Sequence, residues 1–218
     1  MLSHYLPGLF QGAITTVVLT GISIVCGSML GIFVGIASSL NSPVRYFARF
    51  YIEIFLGLPV LVLLIWIYYV LPIMGRNFAF SSFWSAVFAL SLSLSGFVAE
   101  IIEGGFRSIP RGQLDAAYML GISRYNAIRH VILPQAITVM WPALVVQYIT
   151  TYKFSTLASV IAVNEILHIG GLIIQETYRP VEVYTMIAVF FVVTVYPLNA
   201  LARRLHTRLD RRKVLTRI

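Results

Sequence analysis

Three carboxylates and one lysine draw attention because they lie in or beside long apolar runs. Glu100 and Glu103 are three residues apart and so share a helix face. Lys153 stands among Gln147, Ser155 and Thr156 where another apolar run ends. Glu53 follows Tyr51 near the start of a third run, which Pro59 interrupts. Charge at membrane depth is costly unless paired or hydrated, so each position is a candidate site. The chemistry on offer is binding: a cation and several acceptors suit the carboxylate and ammonium of a zwitterion. The competing readings stay open. Glu100 and Glu103 would both lie at the cytoplasmic boundary, Glu100 pairing with Arg107 or a helix end, Glu53 would be a solvated terminal charge, and Lys153 would snorkel to an interface.

Bond-making chemistry has little support. The chain has no Gly-x-Ser-x-Gly elbow, no His-Glu-x-x-His pair and no Gly-rich phosphate loop ending in Lys-Ser/Thr. Lys153 and Ser155, at i and i+2, point to different helix faces and make a poor dyad. His168 is isolated, no ligand set shows metal spacing, and Cys26 is a single cysteine within an apolar run. The reading is a non-enzyme with no nucleotide or metal site of its own.

Composition sets the environment. Of 218 residues, 59% are hydrophobic and 11% charged, with a mean hydropathy of +0.87. A soluble domain of this length would carry far more charge, so the fold class is an all-α polytopic membrane protein in a single domain. Five runs are long enough to span, at roughly 10–37, 52–74, 83–106, 131–152 and 181–202. The formal charge of +8 is strongly sided: of 16 Lys and Arg, all but Arg76, Lys153 and Arg179 fall on one face of a five-span arrangement. That bias places the N-terminus outside and the C-terminus in the cytoplasm. The basic tail from Arg203 onward reads as a lipid-headgroup anchor, with no nucleic-acid role. The N-terminus lacks the basic region of a signal peptide, so the first span is expected to be retained.

The spans carry packing signals. Gly27, Gly31 and Gly35 form a ridge in the first. A turn at Asn41-Ser42-Pro43 leads to the basic stretch Arg45–Arg49, and Pro59 is expected to kink or restart the second span. The third contains Ser91 and Ser95 on one face, and Gly104-Gly105 reads as its end. Trp141-Pro142 interrupts the fourth. Residues 157–180 are too polar and broken to span and read as a periplasmic gate of short helices.

Between the third and fourth spans lies a segment too polar for the bilayer, 107–130, leading to Leu133-Pro134. Its arginines put it on the cytoplasmic side. Gln113 to Leu120 is rich in helix formers, Asp115 sits where the helix dipole favours a negative charge, and Gly121 ends the helix. Ala116-Ala117 offer a smooth face to a partner. A second short helix is expected from about Ser123, with Pro134 marking the return to the membrane.

The spacing of Asp115-Ala116-Ala117, Gly121, Val131 and Leu133-Pro134 resembles the EAA loop of binding-protein-dependent ABC importer permeases. Ala99-Glu100, Gly104-Gly105, Gly112-Gln113 and Gln135-Ala136 are similar to the polar amino-acid branch. The likeness covers about 15–204. It departs at Asp115 for Glu, Val131 for Ile, Phe154 for Asp, and at Leu56 and Glu103, where arginine is common. The resemblance implies a type I importer-like fold with a cytoplasmic coupling helix, in the bacterial inner membrane. It implies two ABC ATPase subunits that hold the ATP and Mg, a second permease chain, and a periplasmic or lipid-tethered substrate-binding protein. Gly112, Gln113, Asp115, Ala116, Ala117, Gly121, Leu133 and Pro134 would couple to the ATPase. Tyr51, Pro59, Glu100, Glu103, Gln147, Lys153, Ser155 and Thr156 would line the substrate pathway. The missing arginines favour a heterodimer whose partner supplies them, with a homodimer also open, or else a cationic substrate or opine facing Glu103. The alternative is an ion-coupled secondary transporter, against which the five spans show no internal repeat.

Overall fold

A computed structural model describes residues 5–40, 42–75, 78–110 and 112–215, with side chains to 200 and at 202. Readings that fall on the first four residues, on Asn41, Arg76, Asn77 and Arg111, or on the basic side chains from Arg203 onward lie outside the described residues.

The described residues form helices and no strand. In chain order they are α1 (Leu6–Ser39), α2 (Val44–Gly57), α3 (Val60–Met74), α4 (Ser82–Arg107), α5 (Gly112–Met119), α6 (Arg124–Ile161), α7 (Ile166–Thr177) and α8 (Pro180–Leu215). Four of them are long and apolar enough to cross a bilayer: α1, α4, α6 and α8 over Pro180–Ala200. The α2–α3 pair is a fifth only if taken as one broken span.

That pair stands where the sequence reading has one span over 52–74. Of the two expectations for Pro59, a kink or a restart, the helices show the restart: the chain turns by 99° between α2 and α3. Leu58 and Pro59 are both extended there, Pro59 at ψ 131, because the residue before a proline avoids helical backbone and proline lacks the N–H to continue the ladder. The basic stretch Arg45–Arg49 forms the first turns of helix α2.

Prolines deeper in helices are absorbed differently. A π-turn at Trp66–Val70 ends two residues before Pro72, and another at Ile128–Ile132 ends two residues before Pro134. The wider turn makes room for the ring against the preceding carbonyls. As a result Pro134 does not separate two elements. The short helix expected from Ser123 runs through it into α6, which continues past Pro142 to Phe154 before tightening to a 3₁₀ end at Ser155–Ile161.

Helix α4 is the centre of the bundle, buried on nearly all sides. Its tightest partner is α1, through the glycine ridge. A Cβ at Gly31 would lie 2.6 Å from Val98 Cβ and 2.8 Å from the Ser95 carbonyl oxygen. Such approach is what small residues contribute where lipid removes the hydrophobic drive between helices. Ser91 donates to the Ser23 carbonyl on α1 at 3.4 Å. On the α6 side Gly105 meets Met140, with no room for a Cβ. α4 passes through Gly104-Gly105 and ends two residues later at Arg107; Gly105 packs against Met140, while Gly104 faces open space.

Candidate functional site

Helix α5 is built as a short, protruding rod. Pro110 precedes it, and Asp115 lies in its first turn. Its end is a Schellman motif: the Gly121 amide donates to the Tyr118 carbonyl at 2.9 Å, and the Ile122 amide to the Ala117 carbonyl at 3.0 Å. Gly121 adopts φ +73, the left-handed conformation that glycine takes without cost. Of the coupling candidates, only Ala117 is buried. Gly112, Asp115, Ala116 and Gly121 are exposed, as are Leu133 and Pro134 at the start of the membrane-spanning part of α6. Met119 and Leu120, 90% and 78% exposed, add an apolar tip.

A side-chain hydrogen bond helps fix this rod to α6. Gln135 Nε2 donates to Gln113 Oε1 at 2.6 Å and to the Val131 carbonyl at 2.9 Å. Gln135 was not among the expected coupling residues. Its place one residue after Pro134 was the available signal.

The pathway candidates separate into two groups. Glu100 and Glu103 line a cavity of about 230 Å³ with Arg49, Glu53 and Arg107. Glu103 is buried and ion-paired to both Arg49, at 3.2 Å, and Arg107. Arg49 was missed in the sequence because its partner lies on another helix. Arg107 pairs with Glu103, the acid one turn before it, and not with Glu100.

Gln147, Lys153, Ser155 and Thr156 lie elsewhere, along the end of α6, and do not line the cavity that holds the glutamates. Lys153 is exposed. The Ser155 hydroxyl donates to the Tyr152 carbonyl at 2.7 Å and Thr156 to the Lys153 carbonyl at 2.8 Å, so both serve the helix end. Tyr51 is fixed to α4 by a 2.6 Å hydrogen bond with Ser95. Pro59 is exposed at the α2–α3 bend.

The segment 157–180 holds a carboxylate that the sequence reading left without a role. Glu165 is fully buried and caps α7, its Oε1 accepting the His168 amide at 2.7 Å. Burial pushes its carboxyl up to about 7, offset in part by the Leu167 and His168 amides and the Thr16 hydroxyl. Thr16 of α1 also accepts the Ile166 amide at 3.2 Å. His168 contributes its backbone, not its ring. Among the described residues no three His, Cys, Asp or Glu side chains are grouped to hold a metal.

A polytopic helical bundle with a short exposed helix tied to its longest spans is the architecture of a transporter's membrane subunit. Residues 23–214 match the family described as binding-protein-dependent transport system inner membrane component, and the chain belongs to that family. It is 32% identical over 205 residues to the glutamine transport system permease protein GlnP of Escherichia coli K12, covering 94% of both chains. It is 37% identical over 170 residues to the octopine transport system permease protein OccM of Rhizobium radiobacter, covering 75% of this chain and 68% of that one. Its fold is similar to a chain in the crystal structure of an amino acid ABC transporter with histidines. There the TM-score is 0.88 at 33% identity, covering 95% of this chain and 96% of that one.

Proposed function

We propose that this chain is the translocating subunit of an ATP-driven importer for polar amino acids or opines. Its relatives named for glutamine, octopine and arginine transport support that substrate class. The observation that carries the mechanism is α5: exposed, stopped by a left-handed glycine, and fixed through Gln113 to Gln135. A rod seated in a cleft of an ATPase would pass the motion of ATPase closure to α4 and α6, which flank it directly in the chain. The ATP and Mg belong to two partner ATPase subunits. A second permease chain, favoured to be a different one, and a periplasmic or lipid-tethered binding protein complete the assembly. The N-terminus lies outside the inner membrane and the C-terminus in the cytoplasm, which places α5 beside the ATPases.

The test is reconstitution of the chain with its ATPase, binding protein and any second permease chain that copurifies with it, followed by uptake of labelled glutamine, arginine and octopine into proteoliposomes. Uptake that needs ATP and the binding protein is expected. Uptake by the chain alone on an ion gradient overturns the proposal. Counting distinct permease chains in the purified complex decides between heterodimer and homodimer.

A further inference from the structure

Helix α2 is tied to α4 at three levels. Near its C-terminal end Phe55 packs on Gly96, where a Cβ would lie 2.9 Å from the Phe55 Cβ. One turn back, the hydroxyls of Tyr51 and Ser95 share a 2.6 Å hydrogen bond. At the foot of α4, Arg49 Nε meets Glu103 Oε1 at 3.2 Å, and Arg107 meets the same oxygen. Past Gly57 the helix breaks: Leu58 and Pro59 are extended, and the chain turns by 99° into α3. α2 is thus a short rod fastened along α4 and jointed to α3 at its far end.

The ionic tie differs from the other two in what breaking it would cost. Glu103 is buried, and both of its ion pairs fall on one oxygen. A surface pair contributes little, but a buried carboxylate left without its arginines is strongly unfavourable. The cluster therefore holds together while the helices around it move. Glu53 and Glu100 are unlike it: both are exposed and hold no ion pair among the described residues. Arg107 is also the last residue of α4, and α5 begins five residues later at Gly112. A push on α5 reaches α4 at Arg107, and Glu103 joins Arg107 to Arg49 on α2. We propose that Glu103 is a positioning residue of the transport cycle: through Arg107 and Arg49 it makes α2 move with the foot of α4, so that displacement of α5 is passed to the α2–α3 bend. Its carboxylate does not contact the transported solute. This rests on the importer reading and departs from the pathway role that the resemblance implies for Glu103.

The experiment uses the full complex in proteoliposomes and reads uptake of labelled glutamine and arginine, the KM for each, and ATP hydrolysis. Glu103→Gln keeps the side chain's shape and removes its charge. Uptake per ATP hydrolysed is expected to fall at least about fivefold, the scale of a coupling energy between sites. The KM for each solute is expected to stay within about twofold of wild type, since no solute contact is lost. The exchange Arg49→Glu with Glu103→Arg again sets one acid among two arginines and is expected to recover at least about half of the lost coupling. Arg49→Glu alone, which sets two acids beside one arginine, is expected to be as impaired as Glu103→Gln. Unchanged uptake per ATP in Glu103→Gln overturns the proposal. So does a changed preference between glutamine and arginine, which would make Glu103 a solute contact. A proportional fall in uptake and hydrolysis that the exchange does not rescue overturns it too, in favour of structural support alone. Should Glu103→Gln fail to assemble, Arg49→Gln opens the α2 side of the cluster and is read in the same way. Wild-type complex without ATP-dependent uptake overturns the importer reading, whereas wild-type uptake with an indifferent Glu103→Gln overturns this role alone.

Discussion

Gln113 and Gln135, 22 residues apart, meet side chain to side chain at 2.6 Å and join the exposed helix α5 to the first membrane turn of α6. The bond is half-buried, and Gln135 also bonds its own helix at the Val131 carbonyl, so its amide is held in place from both sides. A single bond of this kind contributes about 1 kcal/mol, too little to hold the fold but enough to set the angle of a short rod.

The first prediction follows from that scale. Gln135→Leu removes the donor and leaves the complex assembled, with a melting temperature within a few degrees of wild type. Transport per ATP hydrolysed falls several-fold. The measurement is coupled ATPase and uptake in proteoliposomes. Loss of both activities in proportion would instead mean that the variant disturbs the pathway as a whole.

Gly121 supplies the second. Nothing lies within 4 Å of a Cβ built there, so the objection to a side chain is its φ of +73. A β-branched residue pays about 1–2 kcal/mol in that conformation. Gly121→Val should insert normally but fray the end of α5. Gly121→Asp, which tolerates left-handed backbone better yet puts a charge at the negative end of the helix, should insert and uncouple transport from hydrolysis. Limited proteolysis at 119–123 together with transport per ATP reads both effects. Unchanged transport in Gly121→Asp removes Gly121 from the coupling machinery.

Periodic and punctuating residues made much of this legible in advance. Run length gave α1, α4 and the apolar part of α8, and Gly121 with Asp115 gave α5, because caps and apolar runs act locally. The failures have one cause in common. Pro59 could be read as a kink or a restart, and Pro134 was not seen to lie inside a continuous helix, because whether a proline breaks a helix depends on the freed carbonyls finding a wider turn, and on what packs around them. Gly104-Gly105 does stand two residues before the helix end, but the packing role of Gly105 was invisible because its partner, Met140, is 35 residues further along the chain. The charged cavity was hidden for the same reason. Sequence showed Leu56 and Glu103 where arginines were expected, while Arg49 and Arg107 reach the same cavity from elsewhere along their helices.

The third prediction tests the α1–α4 seam. Gly31→Ala forces a methyl to within 2.6 Å of Val98 Cβ and 2.8 Å of backbone oxygen, and neither can yield cheaply. It should destabilise by about 1–3 kcal/mol. Gly21→Ala, on the same helix with nothing within 4 Å, should be neutral. Thermal unfolding in detergent compares them. Equal melting temperatures would mean that α1 does not sit this close to α4.

Glu165 supplies the last. Its carboxyl in the fold titrates near 7 against an ordinary value of 4.5, with burial the main cause. The folded state therefore binds a proton more tightly than the unfolded chain. The stability it adds is fully present below about 4.5 and is lost as pH rises through about 7. Glu165→Gln keeps an acceptor for the His168 amide but cannot titrate. It should be less stable than wild type at pH 5, by about 1 kcal/mol for the weaker cap, and the gap should narrow or reverse by pH 8. Melting temperatures of both proteins across that range decide the matter: parallel curves would show that Glu165 is already ionised throughout, and that the α7 cap on α1 carries no proton in the fold.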